Sequence, residues 1–145
     1  MKIFLIIGIL SWQLFAADIE SMSKIYYHIF YDITKKEKIK IFTDDTECKT
    51  AFTTSKHLIL VDDASNADII LISKQENMKK IPGKSFDKKI IFFTTSYKLL
   101  KLYPQFIGAF YWKRGRSQLL FVKERLHKYH IKLPHEYYQY IVDIL

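Results

Sequence analysis

The chain has 145 residues, with 23 lysines and arginines against 15 aspartates and glutamates, and its formal net charge is +8. This length fits one domain with a hydrophobic core that is large enough to be stable without covalent cross-links. The chain has a single cysteine, which excludes an intramolecular disulfide. The positive charge is spread over several predicted loops without a basic run of five residues, so we expect no nucleic-acid partner.

The N-terminal residues are typical of a secretory signal peptide. Lys2 precedes an apolar run, Ile3 to Leu10, that is too short to span a bilayer, and Ala16 is a small residue where cleavage would occur. We therefore predict a signal peptide over residues 1–16, a mature domain over 17–145 and a periplasmic location. A retained leader is the alternative, because Leu14 occupies a position where a small residue is preferred.

The middle of the chain alternates between predicted helices and strands. Apolar residues at spacings of three and four predict an amphipathic helix over 19–34. The next predicted elements are a strand 39–43, a helix 46–54 capped by Asp45 or Thr46, strands 57–61 and 68–73, a loop or helical turn 77–87, a strand 89–93 and a helix 97–103. The apolar runs at 57–61 and 68–73 predict strands that are buried on both faces.

The C-terminal part is organised around Gly108 to Val122, where two apolar runs flank a basic turn at Gly115. This pattern predicts a β-hairpin. A helix over 122–130 follows, and Pro134 is expected to open a last helix. The apolar stripe of that last helix would be Tyr137, Ile141, Ile144 and Leu145. Together these elements predict a single α/β domain with a mixed, mostly parallel sheet, flanking helices and the hairpin as its antiparallel edge.

Polar residues follow several predicted strands, where α/β sheets bind ligands. The candidate ligand-binding residues at this edge are Asp44, Asp62, Asp63, Ser73, Thr94 and Thr95, with Asp45 and Ser96 beside them. They are the basis of one functional hypothesis, a periplasmic protein that binds a small ligand.

Catalytic and metal-binding patterns are weak in this chain. His127, His130, His135 and Glu136 are zinc-ligand types, but Pro134 interrupts them and nearby lysines would repel a cation. No Gly-x-Ser-x-Gly elbow or phosphate-binding glycine loop occurs. We therefore expect no enzyme, no metal and no cofactor.

Two alternatives stay open for the single cysteine, Cys48, which has no histidine nearby in sequence. It is either a small apolar residue packed in a short helix or a thiol that is redox-sensitive or forms an intermolecular disulfide.

The order of apolar runs resembles the YfiR-like group of small exported proteins. The matching segments are the helix after the leader, strand 39–43, the run 67–73, the run 108–112, Gly115, the run 119–121, and 131–134 with its closing helix. The resemblance implies a periplasmic α/β domain that acts without catalysis. It also implies a partner, the exported domain of an inner-membrane signalling enzyme such as a diguanylate cyclase or histidine kinase.

The candidate partner-binding residues are at the hairpin tip. They are Tyr111, Trp112, Arg114 and Arg116, because rigid aromatics and arginines are enriched where interfaces concentrate binding energy. Burial of Tyr111 and Trp112 in the sheet is the alternative. A homodimer is a further option, and membrane contact is expected only through the partner or an uncleaved leader.

Overall fold

The computed structural model describes residues 19–81 and 89–145. The predicted signal peptide and the predicted turn at Pro82-Gly83 lie outside the described residues. Within the two described ranges, no helix is both long enough and apolar enough to cross a membrane.

The described elements follow the predicted order closely. The helices are α1 (19–34), α2 (Thr46–Thr53), α3 (Tyr97–Leu102) and α4 (Lys123–Lys128), and the 3-10 helices are Ala64–Asn66, Gln75–Lys80 and His135–Tyr140. The strands are β1 (Ile39–Thr43), β2 (Leu58–Leu60), β3 (Ile69–Ile72), β4 (Ile91–Thr94), β5 (Phe106–Lys113), β6 (Arg116–Val122) and β7 (Ile141–Val142).

The strands form one mixed sheet in the order β2-β1-β3-β4-β5-β6-β7. The first four neighbouring pairs are parallel, and β5 and β6 form the antiparallel hairpin. The predicted fold class, an α/β domain with a mostly parallel mixed sheet, is confirmed. The hairpin is not the edge of the sheet, however, because β7 pairs with β6 in parallel register.

Helices cover both faces of the sheet. Residues of α1 and α2 pack in one apolar core with β1, and the buried apolar residues of α1 are Tyr26, Ile29, Phe30 and Ile33. Residues of α3 pack on the opposite face in a second core with Phe106. The described chain therefore has three layers.

Two predicted strands differ in their environment. β3 is buried at all four positions, as its continuous apolar run predicts. β2 was also predicted to be buried on both faces, and this is wrong: β2 is a terminal strand, only three residues long, with Ile59 exposed on its surface. An apolar run alone does not separate a central strand from a short edge strand.

The last predicted helix is wrong in part. Pro134 precedes a 3-10 helix, His135–Tyr140, in which Tyr137 is buried, but the chain then becomes β7. Ile141 and Val142 pair with Phe121 and Val122 of β6. Because these two β-branched residues can use the free edge of β6, their backbone groups join the sheet instead of continuing a helix.

Candidate functional site

Several predicted ligand-binding residues meet where β1, β3 and β4 end. Asp44 accepts hydrogen bonds from the amides of Ser73 (2.7 Å) and Lys74 (3.0 Å) and from the side-chain amide of Asn77 (2.8 Å). Thr95 donates a hydrogen bond of 2.5 Å to the Ser73 hydroxyl. The structure therefore brings Asp44, Ser73 and Thr95 together, as sequence reasoning predicted.

Asp45 belongs to the same cluster and also begins α2. One carboxylate oxygen accepts from the amide of Cys48 at 2.9 Å, and the other accepts from the Ser73 hydroxyl at 2.8 Å. Asp45 is thus the cap of α2, which confirms one of the two predicted capping residues. We call Asp44, Asp45, Ser73, Asn77 and Thr95 the strand-end cluster.

The other predicted ligand-binding residues, Thr94, Asp63 and Asp62, do not share the hydrogen bonds of this cluster. Thr94 is fully buried and donates to the carbonyl oxygen of Ile72 at 2.6 Å. Asp63 caps the 3-10 helix Ala64–Asn66 through the amide of Ser65, and this bond lowers the pKa of its carboxyl group. Asp62 is exposed and lines a cleft of about 330 Å³ together with Asp44.

The strand-end cluster is satisfied by its own hydrogen bonds. Its carboxylates accept from backbone amides and side chains of the protein, and no buried side-chain polar atom in the described parts of the chain lacks a partner. These bonds already join the ends of β1, β3 and β4. The arrangement therefore suits a structural role better than an open binding rim.

The hairpin ends in a two-residue turn, Arg114-Gly115, whose φ angles are 53° and 77°. Positive φ at both positions is the pattern of a type I′ turn, which matches the right-handed twist of the strands. Glycine adopts this conformation freely, whereas arginine does so at an energetic cost. The turn therefore holds Arg114 in an unfavourable backbone conformation at the exposed tip.

Trp112 is the largest exposed apolar side chain in the described residues, with 63% of its surface accessible. Its ring contacts Phe110 edge to face, at 6.4 Å between centroids. Trp112 lines an apolar groove of about 520 Å³ with Met22 and Ile25 of α1. We call Met22, Ile25, Phe110 and Trp112 the tryptophan groove.

The strand pleat separates the predicted partner-binding residues. Trp112 lies opposite Ser117 in the hairpin, whereas Lys113 lies opposite Arg116. Because successive residues of a strand point to opposite faces, Arg116 is on the face opposite to Trp112. Tyr111 is also on that second face, where its half-buried ring packs against Tyr97 at 5.8 Å.

The basic side chains of the tip lie on the face opposite to Trp112 or in the turn, because Lys113 pairs with Arg116 and Arg114 is a turn residue. Lys113, Arg114 and Arg116 are exposed, and none of them forms an ion pair within the described part of the chain. Their positive field is therefore not neutralised locally. Of the two predicted aromatic residues, only Trp112 combines high exposure with an adjacent apolar groove.

Cys48 is 3% exposed and packs in the core below α2. Burial, together with the nearby Asp45 carboxylate, raises the pKa of its thiol well above the usual range. This environment favours the first of the two predicted roles, a small apolar residue in a short helix.

The set of His127, His130, His135 and Glu136, which the sequence offers only weakly, does not form a ligand cluster in the described residues, but a different set does. Among residues 19–81 and 89–145, one group of potential ligands has its atoms within 4.8 Å of one another, and it consists of His28, Asp32 and Glu136. Sequence reasoning considered Glu136 and missed its two neighbours. The spacing of His28 and Asp32, four residues apart on a predicted helix, is the pattern that could have revealed them.

Comparisons of this chain with protein-family models, with curated proteins and with solved structures find no match.

Proposed function

We propose that the protein is a non-enzymatic regulatory protein that binds another protein through the tryptophan groove. The observation that carries this proposal is the exposure of Trp112 beside an apolar groove. Tryptophan is the residue type most enriched among those that dominate binding energy, and an apolar groove next to it offers space for a partner's side chain.

The charge of the hairpin tip supports a partner with an acidic surface. Lys113, Arg114 and Arg116 surround the turn, and within the described residues none of them forms an ion pair. Such unpaired cations accelerate the approach of a negatively charged partner and are sensitive to salt. Arg116 thus contributes to the proposed interaction through its charge, although it lies on the face opposite to Trp112.

The resemblance to the YfiR-like group suggests the class of partner and the compartment. We propose that the protein acts in the periplasm and that its partner is the exported domain of an inner-membrane signalling enzyme, a diguanylate cyclase or a histidine kinase. Restraint of that enzyme by direct binding would require no catalytic residue in this chain.

The alternative function, binding of a small ligand at the strand ends, has less support. Asp44, Ser73 and Thr95 already bond to one another or to neighbouring backbone groups, and Thr94 is buried. In the described part of the chain, the cleft lined by Asp44 and Asp62 is open to a ligand there.

Photo-crosslinking in intact cells tests the proposed function. A photoreactive amino acid at position 112 of the full-length protein should trap one inner-membrane protein that has an exported domain. The same amino acid at position 102 is the control, because Leu102 is also exposed but belongs to α3 on the other face of the sheet. Trapping of only a second copy of the chain at position 112, or equal trapping at both positions, would contradict the proposal.

Substitutions then separate the two contributions to binding. Trp112→Ala should increase the dissociation rate, because it removes contact area, whereas Arg116→Glu should mainly decrease the association rate and its salt dependence. A thermal melt of each variant should show nearly unchanged stability.

A further inference from the structure

A histidine and two carboxylates from distant parts of the chain meet beside α1. We propose that His28, Asp32 and Glu136 bind a divalent transition-metal ion of the Zn²⁺ class. His28 and Asp32 lie one turn apart on α1, and Glu136 belongs to the 3-10 helix His135–Tyr140. The metal would link the first described helix of the domain to its C-terminal segment.

Two of the three distances within this group match the spacing of ligands in the first coordination shell of zinc. Nε2 of His28 lies 3.3 Å from Oδ2 of Asp32 and 3.3 Å from Oε1 of Glu136. Two ligands that each lie about 2.0–2.1 Å from a tetrahedral Zn²⁺ are separated by about 3.3 Å. All three ligand atoms lie within 4.8 Å of one another, so movements of the exposed His28 and Glu136 side chains would let them share one ion.

The surroundings hold the two ligands on α1 in place. The Tyr137 hydroxyl donates a hydrogen bond of 2.6 Å to Oδ2 of Asp32, and the Tyr137 ring lies nearly parallel to that of His28. Metal-binding carboxylates usually carry a second hydrogen bond of this kind, which orients them and tunes their affinity. Asp32 is itself almost fully buried, so its position is well defined.

The site is accessible and keeps a favourable charge. His28 and Glu136 line an open groove of about 540 Å³, which admits a hydrated ion. Lys35 is a nearby cation, with its ammonium 4.0 Å from Oδ1 of Asp32, and Lys24 pairs with Glu20. Two carboxylates therefore face one close ammonium group, and the balance still attracts a cation.

The donor set selects the kind of metal. One imidazole and two carboxylates suit Zn²⁺ and its transition-metal neighbours better than Ca²⁺ or Mg²⁺, which prefer oxygen ligands alone. Three protein ligands leave at least one position for water or for a ligand from another molecule.

Titration of the purified, tag-free protein with ZnCl₂ and CoCl₂ tests the proposal. We expect stoichiometric Zn²⁺ binding by calorimetry, an increase of the melting temperature that saturates at one equivalent, and visible ligand-field absorption when Co²⁺ binds. MgCl₂ should produce none of these effects at the same concentration.

Substitutions test whether the measured Zn²⁺ binding depends on His28, Asp32 and Glu136. His28→Ala and Glu136→Gln should each weaken Zn²⁺ binding at least tenfold, and Tyr137→Phe should weaken it by about 10-fold to 100-fold through Asp32. The matched control replaces His127, His130 and His135 by alanine together, because these histidines are near in sequence but outside the cluster. This control should bind Zn²⁺ like the unmodified protein.

Two outcomes would overturn the proposal. Absence of Zn²⁺ binding would show that His28 and the two carboxylates only contact one another and bind no metal. Loss of binding in the triple histidine variant, with retention in His28→Ala, would place the metal elsewhere. Neither outcome bears on the tryptophan groove, which contains none of the three ligands.

Discussion

The hydroxyl group of Tyr137 donates a hydrogen bond of 2.6 Å to the carboxylate of Asp32, and both groups are buried. The bond joins the C-terminal 3-10 helix to α1. Burial, followed by the hydrogen bond and the negative charge of Asp32, raises the pKa of Tyr137 well above its usual range. The tyrosine therefore keeps its proton in the folded protein under alkaline conditions.

Because of this raised pKa, the free energy of unfolding should vary with pH in the alkaline range. In the unfolded chain Tyr137 ionises near pH 10, whereas in the folded protein it does so at higher pH. The contribution of Tyr137 to the free energy of unfolding is therefore complete below about pH 10. It is lost as the pH rises further, because the tyrosine releases its proton in the unfolded state at lower pH than in the folded state. Urea unfolding at a series of pH values should show this decrease.

Tyr137→Phe isolates the contribution of this tyrosine. The variant should be less stable at pH 7 by about 1–3 kcal/mol, because it removes a buried hydrogen bond to a charged group. Its stability should also decrease less steeply above pH 10 than that of the unmodified protein. Parallel pH curves for the two proteins would contradict this assignment.

The strand-end cluster should matter more for stability than for ligand binding. Asp44→Ala removes the acceptor of three hydrogen bonds and should lower the free energy of unfolding by about 2 kcal/mol. Asp62→Ala is the control, since Asp62 is an exposed residue of the same cleft, and it should leave stability nearly unchanged. Equal stability of both variants in denaturant unfolding would argue against a structural cluster.

Much of this architecture could be predicted from local patterns. The strand 39–43 has the predicted bounds, and the hairpin occurs around the predicted turn at Gly115. These segments carry a strong hydrophobic period or a turn residue of clear conformational preference. Ile141 and Val142 lack such a local preference, and their conformation depends on an edge offered by β6.

The candidate sites were harder to predict because they depend on contacts between distant segments. The sequence predicts that Asp44 and Ser73 lie at strand ends, but it does not predict the hydrogen bond between them. That bond makes these residues part of the strand-end cluster. Alternation along β5 separated Tyr111 from Trp112, a consequence that was readable in advance. The approach of Glu136 to His28 requires the tertiary fold.

Cys48 should be unreactive while the protein is folded. It is buried, and its raised pKa leaves almost no thiolate at neutral pH. A thiol-specific reagent should therefore label the native protein slowly and the urea-unfolded protein quickly. Rapid labelling of the native protein, or a disulfide-linked dimer on a nonreducing gel, would instead support the redox or intermolecular role.

Gly108 should not tolerate a side chain. A Cβ atom at this position would lie 2.6 Å from the carbonyl oxygen of Leu120 and 2.6 Å from the ring of Phe121. Gly108 pairs with Phe93 of β4 on one side and with Phe121 of β6 on the other, so the backbone there is held by both neighbouring strands. Gly108→Ala should lower the free energy of unfolding by about 1–3 kcal/mol, measured with denaturant.

Gly115→Ala is the comparison for this variant. Nothing lies within 4 Å of a Cβ atom at Gly115, so the loss of stability caused by Gly115→Ala would arise only from the positive φ of the turn. We expect Gly115→Ala to lower the free energy of unfolding by about 1 kcal/mol. If Gly108→Ala were as stable as the unmodified protein, the close contact between β5 and β6 would have to be absent.

Arg114 should show a conflict between stability and binding. Its φ of 53° is unfavourable for arginine, and asparagine adopts such a conformation more readily. Arg114→Asn should therefore increase the free energy of unfolding by about 0.5–1 kcal/mol and, by removing a cation from the tip, weaken partner binding. Arg116→Asn is the control, because its backbone is an ordinary strand: it should weaken binding without a gain in stability. If the free energy of unfolding increased in both variants, or in neither, the backbone conformation of Arg114 would not be unfavourable for arginine.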